Sequence, residues 1–173
     1  IEIDPEEIGR NYPVAVGIEG DAKAVMEGLL ERVHQNEPHP NSEWISEIVD
    51  WAARRKDRLD EEGRLSSMPL KPQRVYAEIR KVMPRDAIVA LDAGLAPNFG
   101  QDRLDYYEPR SLLTSLDLGG LGFSFPASLG AKLAAPHRPV VNFNGDGGFL
   151  FNAQELETAV RYGLKVITVI MNN

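Results

Sequence analysis

The sequence contains no cysteine. That excludes disulfides and thiolate metal sites, and it fits a cytoplasmic protein. Its three histidines, His34, His39 and His137, share no ligand spacing and read as surface residues. No apolar run is long enough to span a bilayer. Positive charge is scarce: 19 lysines and arginines stand against 26 aspartates and glutamates, for a net charge of −7. That balance argues against nucleic acid or an anionic membrane as a partner. One basic cluster, Arg54, Arg55, Lys56 and Arg58, is interleaved with or followed by Asp57, Asp60, Glu61 and Glu62, so it reads as a solvated helix face. Two nucleotide-binding glycine patterns are also missing. G-x-G-x-x-G fails at its last position from both Gly120 and Gly145, where Phe125 and Leu150 stand, and no G-x-x-x-x-G-K-S/T occurs. These failures exclude a Rossmann dehydrogenase and a P-loop NTPase.

What is present concentrates at the C-terminal end. Pro139–Asn144 is an apolar, β-rich run that leads into Gly145-Asp146-Gly147-Gly148. A helical stretch is expected over Asn152–Tyr162, with Asn152 as its cap and Glu155 completing a capping box. A second apolar run, Lys165–Met171, ends in Asn172-Asn173. Such a strand–helix–strand unit is right-handed with parallel strands, so both strands end at one edge of the sheet. Open α/β sheets bind ligands at that edge. Asp146 and Asn173 are therefore expected to meet over one site. A carboxylate and an amide oxygen suit a hard cation such as Mg2+, which completes its shell with water and substrate phosphates. Gly145, Gly147 and Gly148 let the backbone approach a bulky anion closely. One metal, one diphosphate and one glycine-rich loop is the economical reading.

The remainder organises around that unit. Ile1–Asp4 and Val14–Ile18 read as strands, Pro5–Arg10 as a short helix, and Asp21 as the cap of a helix over Ala22–Val33 whose inner face is Val25, Leu29, Leu30 and Val33. Residues 1–36 look like the tail of a Rossmann-like α/β domain. Residues 37–69 are a linker carrying a helix from Ser42 to about Arg58, with Trp44, Ile48 and Trp51 as a core-facing stripe. The last domain covers 70–173. Pro72 opens a helix to about Val82, Ala87–Ala93 is a strand ended by Gly94, Pro97–Tyr107 is polar helix or loop, and Leu112–Leu116 is a strand. That strand leads into Gly119-Gly120-Leu121-Gly122-Phe123 and a small-residue helix. The pattern predicts an α/β fold: a mostly parallel sheet with helices on both faces.

Two of these stretches carry a resemblance. GDG followed at this spacing by NN resembles the signature of thiamine-diphosphate (ThDP) enzymes, and GDGGFLFNAQELETAVRYGL resembles the corresponding segment of acetolactate synthases. GGLGF resembles the loop that holds the cofactor rings in that family and in benzoylformate decarboxylase. The resemblance implies a ThDP-binding fold preceded by the end of a middle domain. It implies that Asp146 and Asn173 bind Mg2+, with a third metal ligand two residues beyond the NN pair. It implies that Gly119 accepts a hydrogen bond from the aminopyrimidine and that Leu121 wedges between the rings to hold the cofactor bent. The turn Asp92-Ala93-Gly94-Leu95-Ala96-Pro97 departs from acetolactate synthases, which carry Gln and His after this glycine. Asn98 is the nearest polar candidate here.

The implied activity is decarboxylation of a small 2-oxo acid, with the cofactor ring as electron sink. The acyl-anion equivalent is then transferred to a second 2-oxo acid, as in acetolactate synthase. A non-oxidative decarboxylase and a non-catalytic ThDP-binding homologue are the alternatives. FAD is possible in the parent protein but not readable in this stretch. The family's activating glutamate lies in a pyrimidine-binding domain of a neighbouring subunit. The 173 residues are therefore expected to be part of a longer, homodimeric or homotetrameric enzyme and to be inactive alone.

Overall fold

The computed structural model describes residues 1–35, 42–115 and 118–172. Asn173, His39, Leu116 and residues 37–41 of the expected linker lie outside the described residues. The chain divides into two compact units, residues 1–51 and 52–173.

In the first unit, Asp4 caps a single 3-10 turn, Pro5–Glu7, by accepting from the Glu6 N–H. Helix α1 spans Ala22–Gln35. Asp21 caps it as expected, its Oδ1 accepting from the Ala24 N–H at 3.0 Å. The two expected strands do not form. A lone parallel bridge joins Glu2 to Glu19, and Ile3, Val14 and Val16 stay exposed. Two short extended pieces have too little ladder to hold one another. The expected inner face of α1 is open too: Leu29, Leu30 and Val33 are exposed. Helix α2, Ser42–Gly63, runs longer than its pattern suggested, and Trp44, Ile48 and Trp51 are exposed rather than core-facing. An apolar stripe specifies a face; burial requires another element against it.

The second unit holds the fold that matters for function. Pro72 opens helix α3, Pro72–Val82, where a missing N–H costs no hydrogen bond. Strand β1, Ile88–Leu91, is followed by helix α4, Leu95–Arg103. Strand β2 is Leu112–Thr114, and helix α5 is Ser124–Ala134. Strand β3, Val140–Gly145, runs straight into helix α6, Asp146–Phe151. A 3-10 turn, Ala153–Glu155, leads to helix α7, Leu156–Arg161, and then to strand β4, Ile167–Met171. All strand pairs are parallel, in the order β2-β1-β3-β4. The expected α/β architecture with a parallel sheet and flanking helices is present.

Alternation along the strands separates two layers. Val89 and Leu91 of β1 join Val141 and Phe143 of β3 in the main core, with Tyr76 from α3 and Ala96 from α4. Tyr76 stacks on Phe143 with ring centroids 4.5 Å apart, and its hydroxyl donates to the Ala96 carbonyl at 3.2 Å. The opposite side of β3 is polar. Asn142 and Asn144 are fully buried there, and the Asn144 amide donates to Asn142 Oδ1 at 2.8 Å. Ser124 and Ser128 of α5 are buried as well.

The strand order fixes where a ligand can go. From β1 the chain moves out to β2, then crosses back past β1 to β3. The direction of winding therefore reverses between β1 and β3. Loops leaving the carboxyl ends of those two strands diverge to opposite faces and open a crevice.

Candidate functional site

A cavity of about 530 Å³ lies at that reversal point. This is within the usual range for a small-molecule site, about 300–1,000 Å³. Ala93, Gly94 and Leu95 enter it from the end of β1, and Gly145 to Gly148 from the end of β3. Met171 and Asn172 come from the end of β4, Leu121 from the loop before α5, and Pro69 to Pro72 and Tyr76 from the segment entering α3. Gly145 pairs with Met171 across the β3–β4 ladder, so Asp146 and Asn172 leave adjacent strands at one edge. The parallel pairing of these two strands, expected from the sequence, is present.

Residues 146–148 are not a free loop. They form the first turn of α6, with Gly145 in extended conformation as its cap. Asp146 is exposed at the mouth and makes no hydrogen bond or ion pair among the described residues. A carboxylate left without a protein partner at a cavity rim is available to a cation. No group of three or more His, Cys, Asp or Glu side chains gathers among the described residues, so a metal here would need amide, backbone or ligand oxygens beside Asp146. Lys71 is the only cationic residue on the cavity wall among the described residues. A diphosphate would therefore need the metal and backbone N–H groups to balance its charge. Gly147 meets nothing within 4 Å at its Cβ position, which leaves room for such an anion against the backbone. These residues fit a metal-bound diphosphate.

Leu121 lines the cavity, half exposed. Gly119 lies outside the lining, exposed, with a φ of 59° and its N–H donating to the Ser115 carbonyl at 2.7 Å. Asn98 is exposed on α4 and also outside the lining; Phe99 faces the cavity instead. The expected capping box is absent. Asn152 makes no side-chain cap, and the Glu155 carboxylate accepts from the Thr158 hydroxyl at 2.7 Å. The expected helix over 152–162 accordingly splits into the 3-10 turn and α7. Asn152 is drawn elsewhere: its Nδ2 donates to the Gly122 carbonyl at 2.8 Å.

Asp92 is the residue that sequence reasoning passed over. It follows β1 and is fully buried. Its carboxylate accepts from the Gly122 N–H at 3.0 Å and the Ser124 N–H at 3.2 Å. It also packs on α6: a Cβ on Gly148 would lie 2.0 Å from Asp92 Oδ2. The signal was a lone carboxylate closing a four-residue apolar strand, a position where burial demands hydrogen-bond donors.

The fold is that of an open parallel α/β domain with a ligand-sized, glycine-lined cavity at its reversal point. Residues 92–173 match the family described as thiamine pyrophosphate enzyme, C-terminal TPP binding domain. The whole chain is similar to the acetolactate synthase large subunit of Haemophilus influenzae, 38% identical over 176 residues, covering 100% of this chain and 30% of that protein. It is 37% identical to the acetolactate synthase isozyme 3 large subunit of Escherichia coli over 177 residues, with the same two coverages. It is also 30% identical to the sulfoacetaldehyde acetyltransferase of Castellaniella defragrans over 192 residues, covering 100% of this chain and 32% of that protein. The chain thus spans about a third of the length of the curated relatives it matches.

Proposed function

We propose that this chain is the cofactor-diphosphate part of a ThDP- and Mg2+-dependent enzyme that decarboxylates a small 2-oxo acid and carboligates the product, as acetolactate synthases do. The supporting observation is that one cavity at the β1/β3 reversal gathers an unpartnered carboxylate, a glycine cradle and Leu121. In this reading residues 1–36 close a middle domain, 37–69 are a linker, and 70–173 are the diphosphate-binding domain. Asp146 and Asn173 hold the metal, while Gly145, Gly147 and Gly148 admit the diphosphate. Leu121 supports the bent ring system and Gly119 accepts from its amino group. Bound ThDP supplies the cationic ring that takes up the electrons released with CO2. The chain's own part is to hold and orient it. Tyr76, Phe99 and Leu95 give the cavity an apolar wall, which limits water near the reacting end.

That wall also favours a second reading. Leu95 and Phe99 line the cavity close to the point where acetolactate synthases carry Gln and His, and an apolar lining suits a decarboxylase that releases an aldehyde. The experiment is to give the complete protein ThDP, Mg2+ and pyruvate. Carbon dioxide with acetolactate is expected. Turnover of aromatic 2-oxo acids alone would move the assignment to the decarboxylases, and no turnover of any 2-oxo acid would leave a cofactor-binding homologue. The partner subunit expected to complete the site is tested by the oligomeric state of the complete protein in sedimentation.

A further inference from the structure

The residue after Leu121 is held from both sides of its backbone. The Gly122 N–H donates to Asp92 Oδ2 at 3.0 Å, and the Gly122 carbonyl accepts from Asn152 Nδ2 at 2.8 Å. One partner stands at the end of β1 and the other just past α6. Gly122 has a φ of 83°, which favours glycine, and a Cβ there would lie 2.7 Å from Asn152 Nδ2 and 2.8 Å from Phe151 Cβ. The loop therefore cannot slide along α6, and its neighbour Leu121 is delivered to the cavity at a fixed place.

We propose that Asn152 and Asp92 are positioning residues that set Leu121 against the cofactor rings by clamping Gly122. The proposal rests on reading the cavity as a ThDP site. The clamp acts on the loop carrying Leu121, so it should govern the rings and not the diphosphate. Asn152 allows a clean test because both ends of its amide are engaged. Gln154 Nε2 donates to Asn152 Oδ1 at 3.3 Å, while Nδ2 serves Gly122. Asn152→Asp keeps the acceptor for Gln154 and sets a carboxylate oxygen against the Gly122 carbonyl. Asn152→Ala removes the bond without that repulsion. Asp92→Asn is different in kind. A carboxylate accepts from both N–H groups, whereas an amide presents an NH2 to one of them, and the contact with Gly148 carries the disturbance into α6.

The test uses the complete protein and three readouts: ThDP affinity with Mg2+, affinity for inorganic diphosphate with Mg2+, and the rate of C2 proton exchange on bound ThDP. Asn152→Asp should weaken ThDP by about tenfold, the scale of one lost hydrogen bond with repulsion added, slow C2 exchange, and leave inorganic diphosphate binding unchanged. Asn152→Ala should do the same more mildly, and it carries the test if the aspartate variant does not fold. Asp92→Asn should weaken both ligands. Unchanged ThDP affinity and C2 exchange in the Asn152 variants would overturn the proposal. Equal loss of ThDP and inorganic diphosphate in those variants would also overturn it, since a purely structural role predicts that result. If the unmodified protein binds no ThDP at all, the functional reading itself fails and the clamp proposal with it.

Discussion

Two neighbouring glycines in α6 should respond to alanine in opposite ways. At Gly148 a new Cβ would sit 2.0 Å from Asp92 Oδ2 and 3.2 Å from its Cγ. An ordinary carbon–oxygen contact is about 3.3 Å, so the carboxylate or the helix must give by more than an ångström. The carboxylate is not free to move, because the Gly122 and Ser124 N–H groups hold it at 3.0 and 3.2 Å. Breaking one hydrogen bond to a buried charge costs about 1.5–3 kcal/mol, and residual overpacking adds about 1 kcal/mol or more. Replacing glycine by alanine within a helix returns about 1 kcal/mol. The net expectation for Gly148→Ala is a loss of about 3 kcal/mol. At Gly147 nothing lies within 4 Å of the Cβ position, so only the helix gain remains. Native-state hydrogen exchange of the β1 and α6 amides separates the cases. Gly148→Ala should exchange about a hundredfold faster there, and Gly147→Ala no faster than the parent. Similar exchange in the two variants would refute the packing argument around Asp92.

Other expectations concern the ligand and pH. Asp146→Ala in the complete protein should abolish Mg2+-dependent ThDP binding by calorimetry; unchanged affinity would remove Asp146 from the metal site. Leu121→Ala should slow C2 proton exchange more than it weakens ThDP binding, and equal exchange rates would count against the wedge role. Burial pushes the pKa of the Tyr76 phenol above its ordinary value, with Tyr106 adding to the effect. A raised pKa in the folded state means the stabilisation is complete below the unfolded value, about 10, and declines as pH rises above it. The denaturant midpoint should therefore fall above about pH 10, and Tyr76→Phe should shallow that decline; an identical slope in the variant would show that Tyr76 is not its source.

The second unit was legible where local chemistry and burial agree. Pro72 at a first helical position, the apolar runs of β1 and β3, and the crossover to β4 each appear close to their expected bounds. The strand order was not legible, because periodicity carries no information on whether the chain turns left or right after β1. The first unit shows the opposite case. Val14 to Ile18 has strand composition, yet extended backbone needs a ladder, and among the described residues the first unit has only the Glu2–Glu19 bridge. Trp44, Ile48 and Trp51 have helical spacing and lie on a helix, but spacing does not supply the surface that covers them.

The site divides along the same line. The positions of Asp146 and Leu121 on the cavity were readable because each lies inside a short local pattern: a carboxylate after a strand, and a large aliphatic residue among glycines. Asp92 and Asn152 act across 30 positions of sequence, each through a side chain to the backbone of Gly122. A backbone donor or acceptor has no residue type, so no motif can report such a bond. Asn152 even carried a misleading local signal, since asparagine with glutamate three residues later is a sound capping pattern. In the folded chain the Asn152 Oδ1 that would cap the helix accepts from Gln154 instead, while its Nδ2 donates to the Gly122 carbonyl. The glycines then acquire separate reasons. Gly122 leaves space for Asn152 and Phe151, Gly148 leaves space for Asp92, and Gly147 leaves space for whatever the cavity receives. Two of the three are thus constrained by packing within the protein, and the third opens on the cavity. Substitution at Gly147 should therefore lower ligand affinity without lowering stability, the signature by which the cradle can be told from its scaffold.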